Sequence, residues 1–223
     1  MEEQEIREKI NLKYECEGGH QQIFGESFVK ENKENMELII NGEKKDLICW
    51  CELEEGDNNI TLIIKKKITN LGHMFDGCKS LKNIEELKYL NTFYCTNFSC
   101  MFSQCSSLSD IKSLEKWNVS NGTNFRGMFF GCSSLSDIKS LEKWNVSNGT
   151  NFNGMFNKCS SLSDIKSLEK WNVSNGNNFS CMFSYCSSLS NIKSLEKWNV
   201  SKGNNFSYMF YGCRSLSDIK SLK

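Results

Sequence analysis

The sequence predicts an α/β repeat solenoid, rich in β structure, made of about six coils behind a small β-rich N-terminal domain. Two observations carry that expectation. A Met-Phe dipeptide followed by two residues and a cysteine recurs at Met74, Met101, Met128, Met155, Met182 and Met209, always 27 residues apart. A fixed period of this length marks stacked units, none of which can cover its own apolar side chains. The second observation is that residues 1–67 lack the period and carry strand and hairpin signals instead. The chain is therefore divided into a β-rich N-terminal capping domain, 1–67, and a repeat array, 68–223.

Within the first segment, Ile10-Asn11-Leu12-Lys13-Tyr14 alternates apolar and polar residues as a half-buried strand does. Met36-Glu37-Leu38-Ile39-Ile40 then runs into Asn41-Gly42 before Asp46-Leu47-Ile48. Asn-Gly between apolar runs predicts a hairpin, because both central residues of a type I′ turn need positive φ. Ile60-Thr61-Leu62-Ile63-Ile64 predicts a further strand, and the stretch Phe24 to Lys33 a helix or loop. Gly18-Gly19 beside His20 reads as a turn.

Each coil follows one plan, clearest between Cys132 and Cys159. Apolar residues fall at Leu135, Ile138, Leu141, Trp144, Val146, Phe152, Met155 and Phe156. That spacing sustains neither a period of 2 nor one of about 3.6. It predicts a short strand, a turn, a second extended piece and one helical turn.

Composition removes several function classes. Lys plus Arg and Asp plus Glu are 27 each, so no whole-chain field attracts nucleic acid or an anionic membrane. The start, Met1-Glu2-Glu3-Gln4-Glu5, has no basic or apolar leader. No apolar run approaches the ~18 residues that cross a bilayer. These features set the expectation of a cytoplasmic protein without membrane insertion. Six of the 12 cysteines simply mark the repeat, and one per coil reads as a small buried side chain, not a disulfide framework. His20 and His73 are the only histidines, and Cys49-x-Cys51 has no second pair at zinc-site spacing. No metal or cofactor is expected.

Stacking sets like residues in columns. Trp117, Trp144, Trp171 and Trp198 form one, with Leu90 in the first coil; the Leu favours a buried stack over an exposed sugar-binding strip. Asn70, Asn97, Asn124, Asn151, Asn178 and Asn205 form another, expected to tie successive turns through their side-chain amides. A third, Asp110 and Lys112, Asp137 and Lys139, Asp164 and Lys166, Lys193, then Asp218 and Lys220, sets opposite charges two residues apart. A solvated face is its simplest reading, yet it is also the candidate surface for a protein partner.

Cys132-Ser133-Ser134-Leu135, Trp144-Asn145-Val146-Ser147-Asn148 and Asn151-Phe152-Asn153-Gly154-Met155-Phe156 give the array its resemblance to BspA-type leucine-rich repeat proteins. It looks most like their branch of unknown function in mycoplasmas and protists. The likeness spans about residues 68–223, and Ile23 to Lys33 with Ile39-Ile40-Asn41-Gly42 resembles the leader before such repeats. It implies a curved, leucine-rich-repeat-like solenoid, used on cell surfaces in adhesion or protein recognition, with no catalytic residue. Gly122, Gly149, Gly176 and Gly203 depart from the family pattern, and Asn-Gly at three of these sites is expected to turn with positive φ.

The functional expectation is a non-enzymatic protein-interaction module. The alternative is a secreted or cell-surface adhesin or glycan-binding protein. The last repeat, ending at Leu222-Lys223 without a polar capping unit, adds the expectation of end-to-end self-association. Cys16 and His20 are the only neighbours suggesting nucleophilic catalysis, and no third group orients them.

Overall fold

A computed structural model describes residues 8–217. One antiparallel sheet, in the order β3-β2-β4-β1-β5, contains all of its strands. They are β1 (Glu8–Gln22), β2 (Met36–Ile40), β3 (Glu43–Asp46), β4 (Trp50–Ile64) and β5 (Leu81–Asn83); the one α-helix is α1 (Glu26–Asn32). Alternation puts Ile10, Leu12 and Tyr14 of β1, Met36, Leu38 and Ile40 of β2, and Ile60, Leu62 and Ile64 of β4 in the core. Asn41 (φ 52) and Gly42 (φ 81) make the expected tight turn between β2 and β3. Strand β3 ends at Asp46 and is exposed throughout, so Leu47 and Ile48 lie beyond it. Gly18 and Gly19 sit within β1, opposite Glu54 and Leu53, where the expected turn does not form.

The structure corrects the fold class. A leucine-rich-repeat-like α/β solenoid requires a strand and a helical piece in every coil, and no such array is present. Apart from β5, the described residues after Ile64 hold no strand, only single parallel bridges at Asn70, Asn97, Asn124, Asn151, Asn178 and Asn205 and short 3-10 helices. The presence or absence of a neighbouring strand explains the difference. In the first unit, Leu81-Lys82-Asn83 becomes β5 because β1 pairs with it, Tyr14 facing Leu81 and Lys13 facing Asn83. The equivalent Leu-Ser-Asp segments have no strand beside them. There only the Asp-capped 3-10 helices remain, at Lys112–Lys116, Lys139–Leu141 and Lys166–Leu168, just as Asn83 leads into the one at Glu85–Tyr89 in the first unit.

The 27-residue units nevertheless stack in register. The N–H groups of Phe125, Gly127, Phe129 and Gly131 donate to the carbonyls of Asn151, Asn153, Met155 and Asn157 in the next unit, at 2.8 to 2.9 Å. The same four-bond row joins Leu71 through Gly77 to Asn97 through Ser103, and recurs at each step to Tyr211. Each segment holding these donors is a run of overlapping turns. Met128 donates to Phe125, Phe130 to Gly127 and Cys132 to Phe129 through backbone N–H groups. Such turns need left-handed residues, which are Gly127 (φ 58) and Gly131 (φ 72) here, but Cys181 (φ 55) and Tyr185 (φ 57) two units on. A residue with a Cβ costs about 1–2 kcal/mol in that conformation.

Phe75, Phe102, Phe129, Phe156, Phe183 and Phe210 stack with ring centroids 5.6 to 5.7 Å apart. Phe98 through Phe206 form a parallel column at 5.3 to 5.5 Å. Phe24 lies on Phe75 at 5.6 Å, and the Gly25 N–H donates to the Met74 carbonyl, so one apolar core runs from the sheet into the stack. All 12 cysteines are unpaired. Burial pushes the thiols of Cys105, Cys132 and Cys159 well above their ordinary range.

The repeated glycines act through space. Gly122, Gly149, Gly176 and Gly203 do not have the expected positive φ. A Cβ on Gly149 would stand 2.4 Å from Cζ of Phe152 and 2.9 Å from the Val146 carbonyl oxygen. Gly149→Ala is predicted to cost about 1–3 kcal/mol by overpacking. Phe152→Leu should relieve part of that cost, giving a favourable coupling in a double-mutant cycle read by urea melts; additive losses would refute the steric account.

The buried thiols set an alkaline limit. A thiol raised by burial stabilises the fold below the ordinary thiol range, and that stability is lost as pH rises and the unfolded chain ionises. The urea midpoint should fall above about pH 8.5. C105S/C132S/C159S, which keeps a donor that does not ionise, should flatten the fall; an unchanged slope would exclude the thiols as its source.

Candidate partner surface

The Asp-Lys column lies beside the 3-10 helices, and its aspartates have a structural duty. Oδ1 of Asp110, Asp137 and Asp164 accepts the backbone N–H two residues on, from Lys112, Lys139 and Lys166, at 2.8, 2.7 and 2.8 Å. Asn83 and Asn191 do the same for Glu85 and Lys193. The turn needs an Asx oxygen and not a charge. Asp218 and Lys220 lie outside the described residues.

Between successive helices run grooves of about 490, 620 and 550 Å³. The first is lined by Asp110, Lys112, Glu115, Asp137, Lys139 and Glu142 among others. Lys112 reaches Asp110 only at 3.8 Å, while Lys139, Lys166 and Lys193 make no ion pair among the described residues. The hydroxyl oxygen of Ser140, in the wall of the first groove, and that of Ser113, beside β1 and β5, are buried and have no hydrogen-bond partner among the described residues.

A second charged ladder, not anticipated from the sequence, crosses the units here. Lys143 pairs with Glu115 at 2.8 Å, Lys170 with Glu142 at 3.1 Å, and Lys197 with Glu169. The ammonium groups of Lys143 and Lys197 hold the carboxyls of Glu115 and Glu169 below the usual carboxylate range. The signal was the Leu-Glu-Lys triplet at every period, with Lys 28 residues after its Glu.

The tryptophan column is interior. Trp144 is 4% exposed and its Nε1–H donates to the Leu114 carbonyl at 2.9 Å, a bond repeated by Trp117, Trp171 and Trp198. The asparagine ladder works differently from expectation. Asn124 and Asn151 accept through Oδ1 from the N–H two residues later, within their own turn. Amides that do cross between units include those of Asn121, Asn148 and Asn175, whose Nδ2 donates to Phe93, Ser120 and Ser147 carbonyls, and that of Asn153, which donates to the Ser180 carbonyl. Cys16 and His20 are not brought into a working pair. The thiol meets the Glu54 carbonyl at 3.6 Å, and the imidazole stacks on Trp50 beside Glu52.

A further surface went unnoticed in the sequence. Units 106–132, 133–159, 160–186 and 187–213 agree at all but seven of their 27 positions. Three of the seven hold two residue types each, and the four most varied all flank Met-Phe in the turn run. They read Arg126, Asn153, Ser180, Ser207; then Gly127, Gly154, Cys181, Tyr208. After Met-Phe come Phe130, Asn157, Ser184, Tyr211 and Gly131, Lys158, Tyr185, Gly212. Comparing the units with one another, instead of seeking what they share, would have exposed it.

Residues 50–161 and 134–223 match the family described as Mycoplasma protein of unknown function, DUF285. The chain belongs to that family, and it carries a repeat-like domain of that type. No curated protein and no solved structure matches it. No helix among the described residues is long and apolar enough to cross a membrane.

The cap reading separates charge from geometry. Asp137→Asn should leave stability within about 0.5 kcal/mol of the parent, whereas Asp137→Ala should lose about 0.5–2 kcal/mol with the turn. Thermal melts of the two variants check this, and equal losses would place the contribution in the charge.

Proposed function

We propose that the chain is a non-enzymatic recognition module whose Asp-Lys face contacts a protein partner. One observation carries this reading: the same groove, with an unpaired lysine at its edge, recurs from unit to unit. The lysines are long and solvated, so they contribute to steering and specificity more than to affinity. A glycan-binding strip made of tryptophans draws no support, since those rings are covered and their N–H groups engaged.

The test uses a photo-crosslinking amino acid at Ser136 or Ser163, which line two of the grooves, with Asn145 as a control position, in cells expressing the chain. A discrete protein adduct from the groove positions alone is expected. It should be lost in D110N/D137N/D164N combined with K112Q/K139Q/K166Q, whose caps remain. Equal adducts from all three positions, or adducts that survive those substitutions, would exclude the face as the docking site.

A further inference from the structure

A face that repeats itself cannot fix where along it a partner sits. A segment seated in one groove meets an equivalent groove one unit away, so discrimination between registers must come from positions that differ. In this chain the four most varied of those positions share one surface, the turn run flanking Met-Phe. Its core side, Met and Phe, is the same in every unit; of the varied residues, Ser180 and Ser184 are buried, while Arg126, Lys158, Tyr185, Tyr208 and Tyr211 are exposed.

The outward residues have a definite chemistry. Residues 126–131, 153–158, 180–185 and 207–212 contain no Asp or Glu, although the chain as a whole is charge-balanced. Arg126 and Lys158 are exposed, and the Lys158 ammonium lies 5.3 Å from the centre of the Phe130 ring. Arg214 is exposed just past the last of these segments. Tyr185, Tyr208 and Tyr211 are 44%, 68% and 55% exposed. They form an edge-to-face cluster, with centroids 5.3 Å apart for Tyr185 and Tyr211 and 5.8 Å for Tyr208 and Tyr211. Gly212 makes room for it, since a Cβ there would come within 2.7 Å of the Tyr185 ring. In the middle, Asn157 Oδ1 is buried and accepts no hydrogen bond among the described residues.

We infer that this edge is a second docking surface, which binds an extended acidic segment of a protein partner in a single register. Carboxylates of the segment pair with Arg126, Lys158 and Arg214, and an apolar side chain packs on the tyrosine cluster. Three cations spread over four units suit a few spaced carboxylates. A nucleic acid backbone carries about one charge per 1.7 Å and requires a denser row. This inference stands apart from the Asp-Lys face and can hold or fail without it.

The probe is a fluorescein-labelled, Glu-rich Glu–Tyr copolymer, titrated against the full chain by fluorescence anisotropy. The edge variant R126Q/K158Q/R214Q is compared with K112Q/K139Q/K166Q, which removes as much charge from the other face. Binding to the parent is expected, weakened about tenfold or more in the edge variant and less than about twofold in the groove variant. Y185S/Y211S should weaken it about threefold or more, and thermal melts confirm that each variant is folded. Absence of binding, equal weakening by both charge variants, or equally tight binding of heparin or single-stranded DNA would overturn the inference. Loss confined to the groove variant would overturn it too, while leaving the Asp-Lys reading intact.

Discussion

Because the N–H groups of Phe125, Gly127, Phe129 and Gly131 all point at carbonyls of the following unit, every unit is positioned by its neighbour and the stack acquires a direction. The side chains answer in reverse. Cys132 Sγ donates to the Phe102 carbonyl at 3.1 Å and Trp144 Nε1 to the Leu114 carbonyl at 2.9 Å, both in the preceding unit. Each of those carbonyls already accepts a turn-closing backbone N–H, from Cys105 and Trp117. The thiol and indole therefore use a second lone pair that would otherwise be buried idle. Forward backbone bonds and backward side-chain bonds interlock, which accounts for a small buried donor and a large one at fixed places in the period.

Spacing along the stack follows from that row and carries the rest with it. Phenylalanine rings at 5.3 to 5.7 Å are in stacking contact, and a methyl group on Gly149 has nowhere to go because Phe152 fills the site. Outside, the same spacing brings Lys143 within reach of Glu115. It also brings like charges of adjacent Asp-Lys pairs close together, where opposite signs two residues apart offset most of the repulsion. The charged face is thus tolerated by the stack, not required by it, as Asn191 in place of Asp shows.

The period, the β2–β3 turn at Asn41-Gly42, the inward alternation of Ile10, Leu12 and Tyr14, and the buried tryptophan column were all legible in the residues. What each unit would become was not. Whether Leu-Ser-Asp joins a sheet before it turns depends on the presence of a neighbouring strand, which only tertiary structure supplies, and supplies only to Leu81-Lys82-Asn83. The left-handed residues were hidden for a related reason. Glycine marks both of them only at Gly127 and Gly131, and Cys181, Tyr185 and Tyr208 hold the same conformation under tertiary constraint, so residue type stops reporting φ. At the candidate surface the Asp-Lys column was visible as a pattern. Its capping role was not, because the bond runs to a backbone N–H that sequence cannot orient.

Near-identical units raise a problem of register inside the chain as well. Slipping one unit past another by 27 residues would preserve nearly every contact described above, so the stack alone does not define its own beginning. The first unit is unlike the others: Leu90 stands where tryptophan recurs, and Glu85-Glu86 follows Ile84 where Lys-Ser is the rule. It is also the unit that β1 captures through β5, that Phe24 covers at Phe75, and whose His73 carbonyl leaves room only for glycine at position 25. A Cβ on Gly25 would lie 2.0 Å from that oxygen, so this contact tolerates one residue type and one partner. The antiparallel sheet supplies the asymmetric reference from which every later unit takes its place, and the repeats can then remain almost identical without becoming interchangeable.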